Sequence, residues 1–495
     1  MDGFELYFGD LHNHCAVGYA RGSLKRAFDI AQEHLDFFAF TGHAYWPDMP
    51  TMPEGKHMNW VNGFRAHTDN WPRVRRMTAQ ANTPGKFAAF LGYEWHSSRW
   101  GDYCALYPHD EGELLVPDTL DELVQGVVGQ GGMLFPHHAA YAVEWRGIDW
   151  ASFPSAACPV AEVFSEHGAC VSDRGLHPMI RHSNGGRTTR GAIEHALSLG
   201  LRFGLIAGTD DHFGYPGAYG EGLAGVWARE LTRESIWEAL QARRTYAVTG
   251  DRIGLQFTLN GHPMGAAIPQ AAQRNLNVRV DAMDEIAQVE VVKNGRVVHR
   301  QHVPTILPCD PFEAGRAKLR VQWGWGPWAA LDMARTAQWE GEVTLTGGRI
   351  LKATPCFQSG PYEEDFRDRL NSVEADRVRF ASFTSRRDAL GEDPTKGLIL
   401  EVEGTGDTRV KIRGDRPGPF VIERTLSELM KASASCFTGP FTSESILAHR
   451  LLTPASYGLQ FAWSDPEPRG SADYYMIRVT QSNGHMAWSS PIWVG

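Results

Sequence analysis

The stretch Leu6-Tyr7-Phe8-Gly9-Asp10-Leu11-His12-Asn13-His14 decides how the first half of this chain is read. An apolar run with the make-up of a buried strand stops on two histidines spaced two apart. On an extended segment residues i and i+2 face the same way, so both imidazoles can grip one ion. The pattern recurs along the chain. Asp36 to Phe40 runs into His43, Phe87 to Gly92 into Glu94 and His96, and Met133 to Pro136 into His137 and His138. Further on, Pro159 to Phe164 runs into Glu166 and His167, and Phe203 to Ala207 into Asp210 and His212. A barrel of parallel strands collects the carboxyl ends of its strands on one face. The ligands are therefore expected to converge.

The residue types narrow the chemistry. In Thr209-Asp210-Asp211-His212 the i, i+2 rule pairs Asp210 with His212 and turns Asp211 away. Imidazole plus carboxylate without thiolate suits Zn, Mn or Fe at a catalytic centre, and the lack of a Cys pair argues against a closed structural site. More than four candidate ligands imply more than one ion, with Glu94 the natural bridge because each of its oxygens can take one. His137 and His138 cannot both face inward on an extended strand, which leaves one of them outside the inner ligand set. His96, two residues beyond Glu94, is read as a further ligand or as an acid near the substrate. His167 is an additional candidate ligand. For His34, His57, His67, His109, His177, His182 and His195 the structural reading is preferred, because a lone His after an apolar run is usually held by a hydrogen bond.

Taken together, Gly9 to His14, Thr41-Gly42-His43, Gly92-Tyr93-Glu94, Pro136-His137-His138 and Gly208 to His212 resemble the polymerase and histidinol phosphatase (PHP) superfamily of metal-dependent phosphoesterases. The resemblance covers roughly residues 5 to 250 and points to a branch in which this domain is followed by β-rich sequence. It implies an α/β fold, a distorted seven-stranded β/α (TIM-like) barrel, with two or three divalent ions (Zn, Mn or Fe) that activate water for phosphate ester hydrolysis. Carried over one by one, the family's ligands fall on His12 and His14, His43, Glu94, His137 or His138, Asp210 and His212. The sequence departs from the family at Cys15 to Ala20, where another His or Asp is usual, and at Gly42, where an Asp is usual. The family's His near strand four has only Asp102 and His109 as stand-ins. The resemblance thus carries a dinuclear core and leaves a third ion open.

The remainder of the chain fits a large enzyme. With 495 residues, 42% of them apolar and 21% charged, two or three domains are expected. A net charge of -10 without a basic run speaks against nucleic acid as a bulk partner, since phosphate backbones are held by clustered Lys and Arg. Bound cations would still supply local positive charge for a small anionic substrate. No stretch reads as a membrane span or a signal peptide, and the dispersed Cys15, Cys104, Cys158, Cys170, Cys309, Cys356 and Cys436 read as reduced. A cytoplasmic enzyme is expected, with homo-oligomers an option.

Periodicity sets the domain boundary. Ser23 should cap a helix with Leu24, Ala27, Phe28, Ala31 and Leu35 on one face. Similar helices are expected over Arg187 to Leu199 and Thr232 to Arg243. After Gly250 the hydrophobic period switches to two, and the dipeptides Asn260-Gly261, Asn294-Gly295 and Asn483-Gly484 mark hairpins. Residues 1–250 are therefore assigned to the barrel, 251–310 plus 465–495 to an immunoglobulin-like β-sandwich, and 311–464 to an inserted β-rich domain. Ile306 to Gly315 and Trp323 to Trp328 read as Pro- and Gly-broken links.

Two functional classes share the metals. In the first, phosphate esters are cleaved, with Arg21 and Arg99 as clamps on the phosphate. In the alternative, an amidohydrolase cleaves amides, lactones or carboxylic esters; it calls for a Lys closing a middle strand, and none of these strands ends on Lys. A third class, a binding protein that acts through its β domains, would need the ligand set to be broken.

Overall fold

The computed structural model describes residues 3–304, 311–327, 331–332, 335–358, 366–385, 393–468 and 472–495. Trp328 and residues 306–310, Cys309 among them, lie outside the described residues. The chain packs as two compact units: Met1–Asp281, Ala287–His302 and Gln460–Gly495 form the first, and Ala282–Ile286 with Val303–Leu459 the second. Residues 251–281, beyond the change of period at 250, thus pack with the first unit.

The first unit opens with the elements β1 (Glu5–Asp10), α1 (Leu24–His34), β2 (Phe37–Phe40), β3 (His43–Tyr45), α2 (Met58–Ala81), β4 (Ala88–Trp95) and β5 (Tyr103–Tyr107). They continue as α3 (Leu120–Gly129), β6 (Met133–Pro136), β7 (Val160–Glu162), β8 (Phe164–Ser165), β9 (Gly168–Ala169) and α4 (Ile193–Ser198). β10 (Gly204–Ile206), β11 (Leu223–Ala228), α5 (Arg233–Gln241) and β12 (Thr245–Val248) follow. The architecture is mixed α/β and rich in sheet.

Strand direction explains how the site is assembled. β1 pairs parallel with β2, and β2 with β4. β5 runs antiparallel to both β4 and β6, so β4 and β6 share the direction of β1 and β2. The link from β4 to β5 is too short for a crossover, which forces that reversal. β11 is antiparallel to β1, β12 to β11, and Met486–Ser489 to β12, while β7 and β10 pair parallel with each other. Among the described residues the hydrogen-bonded ladder mixes parallel and antiparallel pairs, and it does not by itself show the distorted seven-stranded β/α barrel that the sequence leads one to expect. The inner side chains of these strands nevertheless meet: Leu11, Phe37, Phe90, Phe135, Val160 and Ile206 belong to one buried cluster. Every residue of β2 and β4 is buried, as in strands covered on both faces.

Helices cover the outside. α1 begins where expected, with Ser23 Oγ accepting the Arg26 N–H at 3.1 Å and Leu24, Ala27, Phe28 and Ala31 buried. Ser23→Ala should lower stability by about 1 kcal/mol in urea unfolding; no measurable change would show that the cap contributes nothing. α5 also begins as expected, with Thr232 as its N-cap. The expected helix over Arg187 to Leu199 shrinks to α4, which begins at Ile193. Thr188 N–H bonds Ala140 O at 2.7 Å, and Ile193 N–H bonds Cys170 O at 3.1 Å. α2 was not foreseen. It begins at Met58 and continues through Pro72 to Ala81. No helix among the described residues is long and apolar enough to cross a membrane, and no disulfide joins the described cysteines.

The β-rich sequence behaves as its period-two pattern requires. Gly254–Leu259 pairs antiparallel with Asn275–Asp281, and Asn260 and Gly261 take φ of 49° and 83° at the turn that leads into the strand at His262. Asn294 and Gly295 do the same at 50° and 75° between Ile286–Lys293 and Arg296–Gln301. The second unit holds an eight-stranded sheet built around two long strands, Thr336–Cys356 and Lys396–Arg416. Trp323, on Ala314–Trp325, stacks on Phe380 at 4.4 Å and is fully buried, as is Trp339.

Candidate metal centre

The shared direction of β1, β2, β4 and β6 brings their carboxyl ends to one edge, and the side chains that follow them meet there. Beyond β1 the chain stays extended enough that His12 and His14 face the same centre, with ring centroids 5.2 Å apart. Asn13 faces the other way and donates to Ala39 O at 2.8 Å. His43, beyond β2, lies in register with Glu94 on β4, and its ring stacks on His14 at 3.9 Å. Glu94 Oε2 lies 3.4 Å from His14 Nε2 and 3.3 Å from His43 Nε2. Glu94 Oε1 lies 3.0 Å from His137 Nε2 and 3.1 Å from His96 Nδ1.

A second carboxylate completes the group. Asp210 Oδ1 is 2.9 Å from His14 Nε2 and 3.4 Å from His12 Nε2, and its Oδ2 is 3.0 Å from His167 Nε2. Asp210 has φ of +57°, rare for a side chain with a Cβ, and this turn aims its carboxylate into the cluster. Asp211 turns away, as the spacing implied, and accepts from the N–H groups of Phe213 and Tyr215. His212 Nδ1 meets Glu166 Oε1 at 3.0 Å, and its Nε2 meets the Tyr19 hydroxyl at 3.2 Å.

The expectation that His137 and His138 face opposite ways is corrected. The strand ends at Pro136 and His138 adopts φ of +33°, so the chain turns and both rings enter the same region, 4.2 Å apart. His137 faces Glu94, whereas His138 Nε2 faces Asp102 at 3.4 Å. His109, the other stand-in considered with Asp102, instead bonds Gln130 O at 2.7 Å. His34 and His67 bond the main-chain carbonyls of Pro216 and His43, structural contacts as expected. His182 accepts the Asn184 N–H through Nδ1 at 3.3 Å, and its ring lies 5.1 Å from that of His167.

Glu162, Tyr141 and Arg146 are not singled out by the sequence, and Asp102 enters there only as a stand-in for a family ligand. Glu162, within β7, accepts from His12 Nδ1 at 3.0 Å; Tyr141 bonds His167 Nδ1 at 2.8 Å. Asp102 accepts from His96 Nδ1 at 2.9 Å and from Nε of Arg146 at 2.8 Å. None of these residues follows an apolar run with a second ligand at i+2, so no local pattern marks them. Of the two arginines chosen from sequence, Arg99 is exposed and covers Trp100, and Arg21 is exposed while its main-chain N–H bonds His212 O at 2.9 Å.

Burial and charge shape the protonation of the group. Burial opposes ionisation of Glu94, but His96, His43 and His137 around it hold its carboxyl well below the ordinary range. Burial opposes ionisation of Asp210 as well, but His12 and His14 hold its carboxyl well below the ordinary range. Burial, aided by the neighbouring His212, pulls His14 down to about 3, and burial likewise pulls His43 well below its usual value, which favours neutral rings with open lone pairs. Glu162 is pushed up to about 8 by burial.

The donor set suits divalent ions. Within this cluster, the sets His14, His43 and His212; His12, His14 and Asp210; and His43, Glu94 and His96 each bring ligand atoms within 4.8 Å of one another. His12 Nε2, His14 Nδ1, His96 Nε2, His137 Nε2 and Glu94 Oε2 are buried without a hydrogen-bond partner. Ring nitrogens and carboxylate oxygens that face one another in a buried space can be satisfied by a cation between them, and unpaired polar groups there are costly.

Comparison with known proteins adds relatives without established roles. Residues 217–272 match a family model described as a protein of unknown function (DUF3604); none of the cluster side chains falls in that segment. The chain is 26% identical over 262 residues to an uncharacterised protein of Chlamydia pneumoniae, a stretch that is 47% of this chain and 40% of that protein. It is 30% identical over 169 residues to an uncharacterised protein of Chlamydia muridarum, covering 31% of this chain and 27% of the relative. The chain thus spans less than half the length of the curated relatives it matches. Among solved structures, it is similar to a two-domain protein from Bacteroides vulgatus containing a predicted PHP-like metal-dependent phosphoesterase. That match is 12% identical with a TM-score of 0.35, covering 86% of this chain and 96% of the other.

Proposed function

We propose that this protein is a metal-dependent hydrolase that cleaves phosphate esters of a small organic molecule. The observation that carries the reading is the convergence of His12, His14, His43, Glu94, His137, His167, Asp210 and His212 on one buried group, with orphaned nitrogens among them. These residues would hold two or three divalent ions, with Glu94 and Asp210 as the shared carboxylates. Bound there, the ions would lower the pKa of water and offset charge gathering on the phosphoryl oxygens.

The chain's own residues orient and exclude. Glu162 fixes the His12 ring through Nδ1 and Tyr141 fixes His167 in the same manner, the usual outer support of a ligating imidazole. His96 Nδ1 is set between Asp102 and Glu94, and its Nε2 is buried without a hydrogen-bond partner. Tyr19, its ring 4.1 Å from that of His43, covers that side of the group and limits access of bulk water.

An amide-cleaving reading finds no support in the cluster. Among the described residues, no lysine lies within hydrogen-bonding reach of Glu94 or Asp210. The test is elemental analysis of purified protein together with a panel of phosphate mono- and diesters, amides, lactones and carboxylic esters. Stoichiometric transition metal and turnover confined to phosphate esters are expected. Protein without metal, or turnover of amides alone, would remove the proposal.

A further inference from the structure

We infer that Arg146 is the residue that recognises the substrate's anionic group. The inference rests on the phosphoesterase reading and gives it a substrate-binding residue that the sequence motifs do not contain.

Arg146 stands on a loop built to hold it. Glu144 and Arg146 both have φ of +69°, and a Cβ on Gly147 would sit 1.8 Å from Tyr141 O, so the turn is compressed to the point where only glycine fits. The main-chain N–H of Arg146 bonds Ser98 O at 3.2 Å, and those of Trp145 and Gly147 return to Ala142 O. Strained backbone of this kind persists where the surroundings enforce it, commonly at ligand-binding positions.

The side chain then enters the cluster. Nε and Nη2 bond the fully buried Asp102, Nη2 lies 3.3 Å from His96 Nδ1, and the guanidinium carbon lies 5.2 Å from the centre of the Trp46 ring. Nη1 donates to nothing among the described residues, and the side chain is 11% exposed. Asp102 already receives His96, the Ser97 N–H and Arg146, so it serves as an anchor and leaves the outer edge of the guanidinium free. A planar fork fixed along one edge presents its other donors to phosphate oxygens with little entropy left to lose. A neutral amide or lactone would make no comparable use of that cation, so an anionic ester is the substrate class that fits.

The experiment uses the full metal-loaded chain and inorganic phosphate as the probe. Arg146→Gln removes the fork, and the double variant Arg146→Gln with Asp102→Asn removes both charges, so that no buried carboxylate is left unpaired. In both, phosphate should inhibit roughly 10- to 100-fold more weakly, and KM for a phosphate monoester should rise in step, with metal content unchanged. Phosphate inhibition within twofold of wild type in either variant overturns the inference. Loss of metal from both also overturns it, since Arg146 would then be a scaffold for the ligands. If the wild-type chain itself holds metal but turns over no phosphate ester, the phosphoesterase reading has failed, and the inference falls with it.

Discussion

Asp210→Ala should strip metal from the purified protein and lower phosphate ester hydrolysis by more than about 100-fold. The estimate follows from position: loss of a residue that merely supports a ligand costs about 10- to 100-fold, and Asp210 stands in the middle of the group. Its two oxygens lie within 3.4 Å of His12, His14 and His167 nitrogens, so its removal leaves three rings without the charge that draws them together. His12→Ala should behave similarly. His195, on α4 away from the cluster, is the control, and His195→Ala should change neither metal content nor rate. Full metal and full activity in both ligand variants would overturn the site assignment.

Arg274→Met should destabilise the first unit by about 3 kcal/mol, read as a fall in the urea unfolding midpoint. The Arg274 guanidinium bonds Asp473 where both side chains are wholly buried, and it also bonds the Tyr475 hydroxyl at 2.9 Å. Breaking a buried pair by removing one partner leaves an uncompensated charge, which costs roughly 3–5 kcal/mol. Lys293 remains 3.7 Å from Asp473 and partly compensates, so the lower end applies. The contact ties Asp473–Gln481 to the edge of Asn275–Asp281, and its loss should therefore loosen the C-terminal strands first. A shift below about 1 kcal/mol would mean that Lys293 alone neutralises Asp473.

What the sequence determined by itself is local. A strand period of two places His12 with His14 and turns Asn13 away, and the structure shows those orientations, whereas Asp211 turns away beside a left-handed Asp210 and not on an extended strand. Caps at Ser23 and Thr232 and the Asn-Gly turns are chemistry of a few adjacent residues, and they stand where the sequence puts them. The apolar runs that stop on His or Glu report strand ends, which is why most of the cluster was legible before any coordinates.

Only the tertiary structure decided the rest. The direction of β5 and β11 depends on which strand each one finds, and alternation along a strand carries no sign of its partner's direction. Residues 187–192 have a helical pattern, yet the Thr188 N–H bonds Ala140 O, and a hydrogen bond made across the fold outweighs a weak local propensity. His138 joined the cluster through a backbone turn that no spacing rule contains. Glu162, Asp102 and Arg146 matter because of what lies beside them in space, 150 residues away for the pair Glu162 and His12. Charge compensation in a buried site is a property of the assembled neighbours, and it becomes visible only once the strands have brought them together.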